Sequence, residues 1–406
     1  MNNIEQRKSD ILSLFRSLDI SSTMYKNAEQ KYKALAKLLQ QNGIECDIYP
    51  QGSFAIGTVV RPIRNGKDDN YDLDVVCEVL VDKKSTTPEC IKKSVGKVIV
   101  ESKQYNISEE YDTCWTIKFA DIDGVGFSMD VVPAVDEDEE TKKQLCSKTK
   151  TSPILVNKSI AITMKENAKY NWKTNNPKGY KEWFEEINEP FISYTREQRK
   201  ALYEADTRMD ATVEELPSDY ERSSLQIAIQ MLKRHRDIYY DKVKSENVRK
   251  PISAIISTLV ATIASSAPIR HYDPFQLLEY VVREVDSYYG LHKLQESGDE
   301  YAGKNLIRKS AGKWILENPV NPEDNLLDAW NEQPGTSQAF FKWLKAVKED
   351  FIDSLEFEDR MFMASLHNAL GNESLKNSKL FEKYNNKSVP DVVIPAKPWR
   401  DACDLF

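Results

Sequence analysis

Apolar residues recur at three- and four-residue steps near the start of the chain, with Ile11, Leu12, Phe15 and Leu18 on one stripe, and that period predicts a helix. Ser21-Ser22 supplies a break or cap, a second helical pattern runs to Leu39, and Gly43 ends it, so residues 1 to about 43 read as helical. From Cys46 the pattern changes. Short apolar runs alternate with turns and helical patches to about residue 135, among them Ile48-Tyr49 (broken by Pro50), Leu73 to Val76 and Phe127 to Val132. From about residue 185 the helical period returns, and Leu225, Ile229 and Leu232 line one face of a helix. The apolar run from Ala254 to Ala267 contains Ser and Thr and is too short to span a membrane, so it reads as a buried helix. The tail from Asn385 to Phe406, with Pro390, Pro395 and Pro398, predicts an extended strap or a partly mobile end. The expected fold is α+β with two lobes: residues 1–185 form a mixed-sheet lobe with helices at its start, and residues 186–406 form a mainly helical lobe that completes a cleft.

The candidate chemistry lies in the strand region. Gln51-Gly52-Ser53 is a small-residue turn, and Tyr71-Asp72-Leu73-Asp74-Val75-Val76 follows it closely. Side chains alternate faces along a strand, so Asp72 and Asp74 project from one side while Leu73 and Val75 enter the core. A third carboxylate, Asp130, stands in the apolar run Phe127 to Val132. Carboxylates crowded on one surface repel unless cations lie between them. Two Mg²⁺ ions (Mn²⁺ is an alternative) would relieve that repulsion, polarise an α-phosphate and lower the pKa of an attacking hydroxyl. Asp130 could complete such a cage or help take the proton from the nucleophile. At the turn, Gly52 lets the backbone approach a ligand. The Ser53 hydroxyl and free N–H groups suit a phosphate.

Each piece alone has a plainer reading. A Gly-Ser pair is ordinarily a turn, an Asp-x-Asp ordinarily a solvated loop, and an Asp in an apolar strand ordinarily a paired structural residue. Their conjunction is what points to nucleotidyl transfer.

The arrangement of Gly-Ser, then Asp-x-Asp on a strand, then a later Asp resembles the polymerase-β-like nucleotidyltransferases. Further stretches resemble, within that superfamily, the cGAS/DncV-like nucleotidyltransferases (CD-NTases) of bacterial CBASS anti-phage systems. These are Asn176-Pro177-Lys178-Gly179-Tyr180 with Trp183-Phe184, Leu225 to Asp237, Pro251 to Leu259, and Asn318 to Asn325, the last also similar to oligoadenylate synthetases. The resemblance runs over nearly the whole chain. It implies a polymerase-β-like fold, with Asp72, Asp74 and Asp130 as the metal-binding triad and Gln51, Gly52 and Ser53 at the triphosphate turn. It also implies that Lys233 contacts the donor triphosphate and that Ser253 lies near the donor pocket. Some relatives carry a base-stacking aromatic just after that serine. Here the position is Ala254, so stacking must come from elsewhere. Taken alone, Lys233 also reads as a charged residue at a helix end.

Bulk properties narrow the class. The chain has 406 residues, enough for two lobes with ample core. Cys46, Cys77, Cys90, Cys114, Cys146 and Cys403 form no Cys-x-x-Cys pair, and the four histidines are far apart, which argues against a zinc ribbon or a disulfide scaffold. The polar, helical N-terminus shows no secretory signal, so a cytoplasmic enzyme is expected. With 64 acidic against 56 basic residues, net charge is −8. A protein that tracks long nucleic acid shows a basic surface, so small nucleotides suit this chain better than a polymeric template. The acidic stretch Asp136 to Glu140 reads as a solvated loop.

The expected reaction is attack of a ribose hydroxyl on the α-phosphate of an NTP, releasing pyrophosphate, with ATP and/or GTP as substrates. The resemblance extends this to a cyclic di- or trinucleotide second messenger that acts on a separate effector. Two alternatives remain: a nucleotide-adding enzyme or oligonucleotide synthetase acting on RNA ends or a small acceptor, and a catalytically silent nucleotide-binding regulator. Intact carboxylates argue against the second. Base choice, ring size, linkage, activator and regulatory partner are not written in these motifs.

Overall fold

A computed structural model of the chain describes residues 3–19, 22–61, 63–64, 67–68, 70–102, 105, 108–122, 125–206, 221–243, 248–268, 272–295, 306–333, 335–372, 375 and 380–385. The expected tail strap from Asn385 onward lies outside them, apart from Asn385 itself. The chain opens with helices α1 (Asn3–Leu18) and α2 (Ser22–Gln41), as the apolar stripe predicts. Strand β1 (Cys46–Pro50) leads into the single helical turn α3 (Gly52–Ala55). A small hairpin, β2 (Ile63–Arg64) and β3 (Lys67–Asp68), precedes the long strand β4 (Tyr71–Val79). Helix α4 (Pro88–Glu101), β5 (Ser108–Glu110), β6 (Trp115–Ile122) and β7 (Val125–Asp136) follow. Next come α5 (Glu139–Lys148), α6 (Pro153–Val156), β8 (Ile160–Glu166) and β9 (Lys169–Asn175).

These strands make a seven-stranded sheet in the order β1-β4-β7-β6-β5, with β8 bridging β7 to β9. All pairings are antiparallel except β4 with β7. That parallel pair places the two carboxylate-bearing strands side by side with their ends aligned. One face of the sheet is covered by α2 and α4, whose Leu35, Leu39, Ile91, Val95 and Ile99 pack on Leu73, Val75, Met129 and Val131. Thr87 caps α4 by accepting from the Cys90 N–H, and Pro88 occupies its first turn, where a missing N–H costs nothing.

The second core is helical. It is built from α7 (Pro177–Asp206), α8 (Ser224–Val243), α9 (Ser253–Ser265) and α10 (Pro274–Gln295), with α11 (Asp328–Glu332), α12 (Thr336–Val347) and α13 (Asp359–Leu370). Short hairpins, β10 (Arg308–Ser310) with β11 (Lys313–Ile315) and β12 (Glu317–Asn318) with β13 (Asn321–Asn325), are inserted among them. Helix α1 buries Ile11, Leu14 and Phe15 in this helical core rather than in the sheet's. Arg7 ties it there, donating to the Leu355 and Phe357 carbonyls at 2.8 and 2.6 Å and pairing with Asp359 at 2.7 Å.

One expectation is corrected. The acidic stretch is not a solvated loop. Asp136 ends β7, Asp138 caps α5 by accepting from the Thr141 N–H, and Glu137 is buried between Lys83 and Thr174. A carboxylate enters a protein interior when a cation and a hydroxyl replace its water, and neither partner is adjacent in sequence.

Candidate active site

Two of the three candidate carboxylates stand side by side because β4 and β7 run in parallel register. Asp74 is opposite Asp130, and Asp72 is opposite Ser128. Leu73 and Val75, on the other face, are fully buried. The alternation that pins those two in the core therefore sets Asp72 and Asp74 on the open face. Asp72 is exposed, and Asp74 and Asp130 are half-buried. Two hydroxyls hold the outer pair: Ser128 donates to Asp72 Oδ1, and Thr116 on β6 donates to Asp130 Oδ1. Ser128 could have been read from the strand, two residues before Asp130 on the same face. Thr116 carries no sequence signal.

Asp74 feels its neighbours. Burial, then the Asp130 and Asp72 charges, push its carboxyl up to about 7, with Lys233 pulling the other way. Asp130 is also raised, by burial first and then by Asp72, while the Thr116 bond opposes the rise. Hard carboxylate oxygens that lack a countercharge are the donor set that Mg²⁺ accepts, so these residues fit the cation the motif implies. They are not drawn together around one point. Among the described residues no group of three ligand-type side chains is gathered tightly enough to hold an ion.

The small-residue turn is fastened to the same strand. The Gln51 N–H donates to the Asp74 carbonyl at 2.8 Å. Gly52 has φ +60°, and a Cβ there would lie 3.0 Å from Asp74 Oδ2, so both conformation and space favour glycine. Phe54 anchors the turn by stacking on Tyr25 with ring centroids 4.5 Å apart. Among the described residues the Ser53 hydroxyl and the Gly52 and Ser53 N–H groups make no bond within the protein.

Helix α8 grips the segment just after this turn. Gln226 donates to the Ile56 carbonyl at 3.0 Å, Gln230 to that of Val59 at 2.7 Å, and Arg234 to that of Arg61 at 2.9 Å. Lys233 belongs to this ladder. It is almost fully buried and donates to Thr58 Oγ1 at 2.8 Å and the Thr58 carbonyl at 3.3 Å. It is not a charged helix end. Burial lowers its pKa to about 7, helped by Arg236 and opposed by Asp237 and Asp74.

Ser253 opens α9, and its hydroxyl accepts from Arg236 Nη1 at 3.2 Å. It lines a cavity of about 480 Å³ that reaches Gln51 and Gly52 at one side and Asp324 and Trp330 at the other. Gln51, Gly52 and Ser253 thus line one cavity, whereas Ser53, Asp72, Asp74, Asp130 and Lys233 do not line it, and the turn's bond to the Asp74 carbonyl is what ties the cavity to the carboxylate strand. Ala254 also lines it, as do the aromatic side chains Tyr180 and Trp330. Trp330 is packed among Trp314, Phe340 and Phe341, which leaves Tyr180 as the aromatic face next to Ser253.

Comparison with known proteins finds relatives over most of this chain. The Second Messenger Oligonucleotide or Dinucleotide Synthetase domain (SMODS) matches residues 6–152, a span that contains the turn and all three carboxylates. A c-di-GMP synthase of Roseivirga ehrenbergii is 25% identical over 354 residues, covering 86% of this chain and 79% of that protein. A cyclic dinucleotide synthase, CdnG, of Bradyrhizobium diazoefficiens is 24% identical over 327 residues, covering 78% and 68%. The solved structure of the Bradyrhizobium diazoefficiens CD-NTase CdnG in complex with GTP superposes with a TM-score of 0.61 at 19% identity, covering 91% of this chain and 96% of that one. Vibrio cholerae DncV cyclic AMP-GMP synthase, solved with a linear intermediate, superposes at 0.53 with 15% identity, covering 93% and 87%. At those identities the structures speak for the fold. The sequence relatives and the domain match point the same way: this chain is similar to the second-messenger synthases among the cGAS/DncV-like nucleotidyltransferases.

Proposed function

We propose that the chain joins NTPs into a cyclic di- or trinucleotide second messenger that serves anti-phage defence through a separate effector. The observation that carries the chemistry is the register pairing of Asp74 with Asp130, with Gly52 pressed against Asp74 at the mouth of the cleft. The names of the sequence relatives, a c-di-GMP synthase and a cyclic dinucleotide synthase, support the cyclic product.

Asp72, Asp74 and Asp130 would hold two Mg²⁺ ions (or Mn²⁺), which when bound supply positive charge at the α-phosphate and acidify the attacking hydroxyl. The chain's own residues do the rest. The Gly52 and Ser53 N–H groups and the Ser53 hydroxyl bind the terminal phosphates. Gln51 keeps that turn in step with β4 through its bond to the Asp74 carbonyl. Lys233 adds charge behind the turn, exchanging its Thr58 partners for a phosphate oxygen. Tyr180 offers a face to the base beside Ser253. A ribose hydroxyl attacks the α-phosphorus, the bond to the bridging oxygen breaks, and pyrophosphate leaves with the electron pair. Asp130, with one oxygen held by Thr116 and its pKa raised, takes the hydroxyl proton. A second such transfer closes a dinucleotide ring, and a trinucleotide ring takes a third, each releasing one pyrophosphate.

A regulatory protein partner is compatible with this reading. An Escherichia coli CdnC of the same fold was solved in complex with a HORMA protein (TM-score 0.56, 9% identity). The decisive experiment is incubation with all four labelled NTPs and Mg²⁺ or Mn²⁺, followed by mass spectrometry of phosphatase-resistant products. Small cyclic products support the proposal. Extended RNA ends would support nucleotide addition instead.

A further inference from the structure

Several carboxylates of this fold are held by cations. Glu137 and Asp138 pair with Lys83, Asp136 with Lys142, Asp359 with Arg7, and Asp10 with Lys383. Asp72, Asp74 and Asp130 are held differently. Among the described residues none of the three is in an ion pair. Neutral hydroxyls hold two of them, Thr116 on Asp130 and Ser128 on Asp72. Neither carboxylate oxygen of Asp74 accepts a bond from any described residue.

Strand register sets this up. Thr116 of β6 is opposite Asp130 of β7, and Asp130 is opposite Asp74 of β4, so the three make one rank across the sheet. In the next rank on the same face, Lys118 is opposite Ser128 and Ser128 is opposite Asp72. Side chains directly opposite on an antiparallel ladder lie about 4.5–5.5 Å apart at Cβ, which a threonine hydroxyl can bridge. Lys118, the one cation of the two ranks, spends its charge on Glu109 at 3.3 Å.

A lysine or arginine on these carboxylates would cancel their charge and compete with a bound cation. A hydroxyl fixes one oxygen and leaves the charge in place. Thr116 is also β-branched, so its own rotamer is stiff. In both pairs the engaged atom is Oδ1, and Oδ2 of Asp72 and of Asp130 takes no bond from any described residue. Asp72 and Asp130 thus keep one unengaged oxygen each, and Asp74 keeps two.

We infer that Thr116 and Ser128 are positioning residues that make Asp130 and Asp72 one-oxygen cation ligands, and that they thereby favour Mg²⁺ or Mn²⁺ over Ca²⁺. The inference deepens the nucleotidyltransferase reading above and rests on it. Ca²⁺ takes six to eight oxygens and accepts carboxylates through both of theirs, whereas Mg²⁺ demands an octahedral shell and keeps several waters. An oxygen already accepting from a hydroxyl is a poorer second donor to the larger ion. The two hydroxyls therefore withhold ligands that Ca²⁺ would use and Mg²⁺ would not. They act through the carboxylates and touch neither nucleotide nor cation.

The test reads cation binding without turnover. Nucleotide-free wild type, Thr116→Val, Thr116→Ser and Ser128→Ala are titrated with Mn²⁺, with the unbound ion followed by electron paramagnetic resonance. Ca²⁺ is then added as competitor, and melting temperatures are recorded alongside. Thr116→Val keeps the shape and loses the hydroxyl, while Thr116→Ser keeps the hydroxyl. Thr116→Val and Ser128→Ala should each lower Mn²⁺ affinity about ten- to a hundredfold. Ca²⁺ affinity should fall less, so the Mn²⁺-to-Ca²⁺ affinity ratio should drop about threefold or more. Thr116→Ser should keep the wild-type ratio. Because the ratio compares two ions on one sample, a partly unfolded variant does not mimic the result. A smaller change in the ratio, an equal loss of both ions, a Thr116→Ser as impaired as Thr116→Val, or a wild type that binds no Mn²⁺ at millimolar concentration overturns the proposal. Each hydroxyl stands or falls by its own variant. Product analysis of wild type separates the two readings. If NTPs are joined but the ratio does not move, the hydroxyls are structural and the transferase stands. If the ratio moves but no NTP is joined, the cation site stands and the transferase reading fails.

Discussion

Asp74 and Asp130 stand opposite each other across the one parallel strand pair among the described residues, although they come from separate motifs. Their proximity gives the site an electrostatic cost that a bound cation relieves. Replacing Asp74 with Asn should therefore abolish turnover while leaving the cation-free protein as stable as wild type or more so. Asp74 has its folded pKa raised from 3.8 to about 7. Its ionisation thus opposes the folded state, and its contribution to stability is lost as pH rises from about 4 to 7. Cation-free wild type should lose on the order of 2–4 kcal/mol over that window from this group, and Asp74→Asn should not. Chemical denaturation in EDTA at several pH values measures the difference. Equal pH profiles for the two proteins would remove the electrostatic account, and near-normal turnover of the variant would remove the assignment.

Lys233 supplies a second separation, between binding and folding. Its ammonium is buried on Thr58, and burial holds its pKa near 7. A charged lysine in that place is a strain on the nucleotide-free protein. Lys233→Met keeps the stem and removes the charge, so it should raise the melting temperature slightly. It should weaken binding of a non-hydrolysable NTP about ten- to a hundredfold, as expected for a charge-assisted bond of roughly 1.5–3 kcal/mol. Unchanged affinity would make Lys233 a rung of the α8 ladder and nothing more.

That Asp72 and Asp74 share a face was legible because a strand's alternation is a local rule. Once Leu73 and Val75 are in the core, Asp72 and Asp74 must share the other face. The Gly52–Ser53 turn was legible because glycine favours the left-handed backbone that the turn adopts. The surroundings of Lys233 were not, since Leu225, Ile229 and Leu232 show which face of α8 is apolar but not that residues 56–61 pack beside it. Glu137 misled for the same reason. A run of five acidic residues looks solvated, and only the fold brings Lys83 and Thr174 to it. Thr116 is likewise an ordinary polar residue until strand pairing sets it beside Asp130. The third-dimensional partners of charged groups are where local pattern stops being informative.

His235 lies in the same helix with a structural part to play. Its Nδ1 accepts from Trp343 Nε1 at 3.1 Å, and its Nε2 faces Asp350 at 3.3 Å. The ring is therefore neutral, with its proton on Nε2. Burial lowers its pKa below 6.5, while Asp350 opposes the shift and Lys242 adds to it. A histidine with a depressed folded pKa contributes stability above its unfolded value, and that stability is lost as pH falls through about 6.5 toward the folded pKa. Protonation of Nδ1 would also cancel the Trp343 bond. The wild-type midpoint in urea should fall between pH 7 and 5.5. His235→Gln should be less stable at pH 7 yet flatter in this range. A parallel fall in both proteins would assign the acid sensitivity to other groups.

Tyr180 bears on how a chain with Ala254 holds a base. Its ring lines the cavity beside Ser253, and its hydroxyl pairs with Thr258 Oγ1 at 2.9 Å. That bond and the tilted packing on Trp183, with centroids 5.2 Å apart, fix the ring plane before a nucleotide arrives. Stacking a base on an aromatic face contributes about 1–3 kcal/mol. Tyr180→Leu should therefore raise the KM for NTP about five- to a hundredfold with a smaller change in kcat, because stacking holds substrate and transition state alike. Tyr180→Phe keeps the face and loses only the Thr258 bond, so its KM should stay within a few-fold of wild type while stability falls by about 1 kcal/mol. Steady-state kinetics of both variants, with thermal melts, decide the matter. If Leu and Phe variants share the wild-type KM, the base is held by another surface. If they share the same elevated KM, the Tyr180 hydroxyl and not its ring meets the nucleotide.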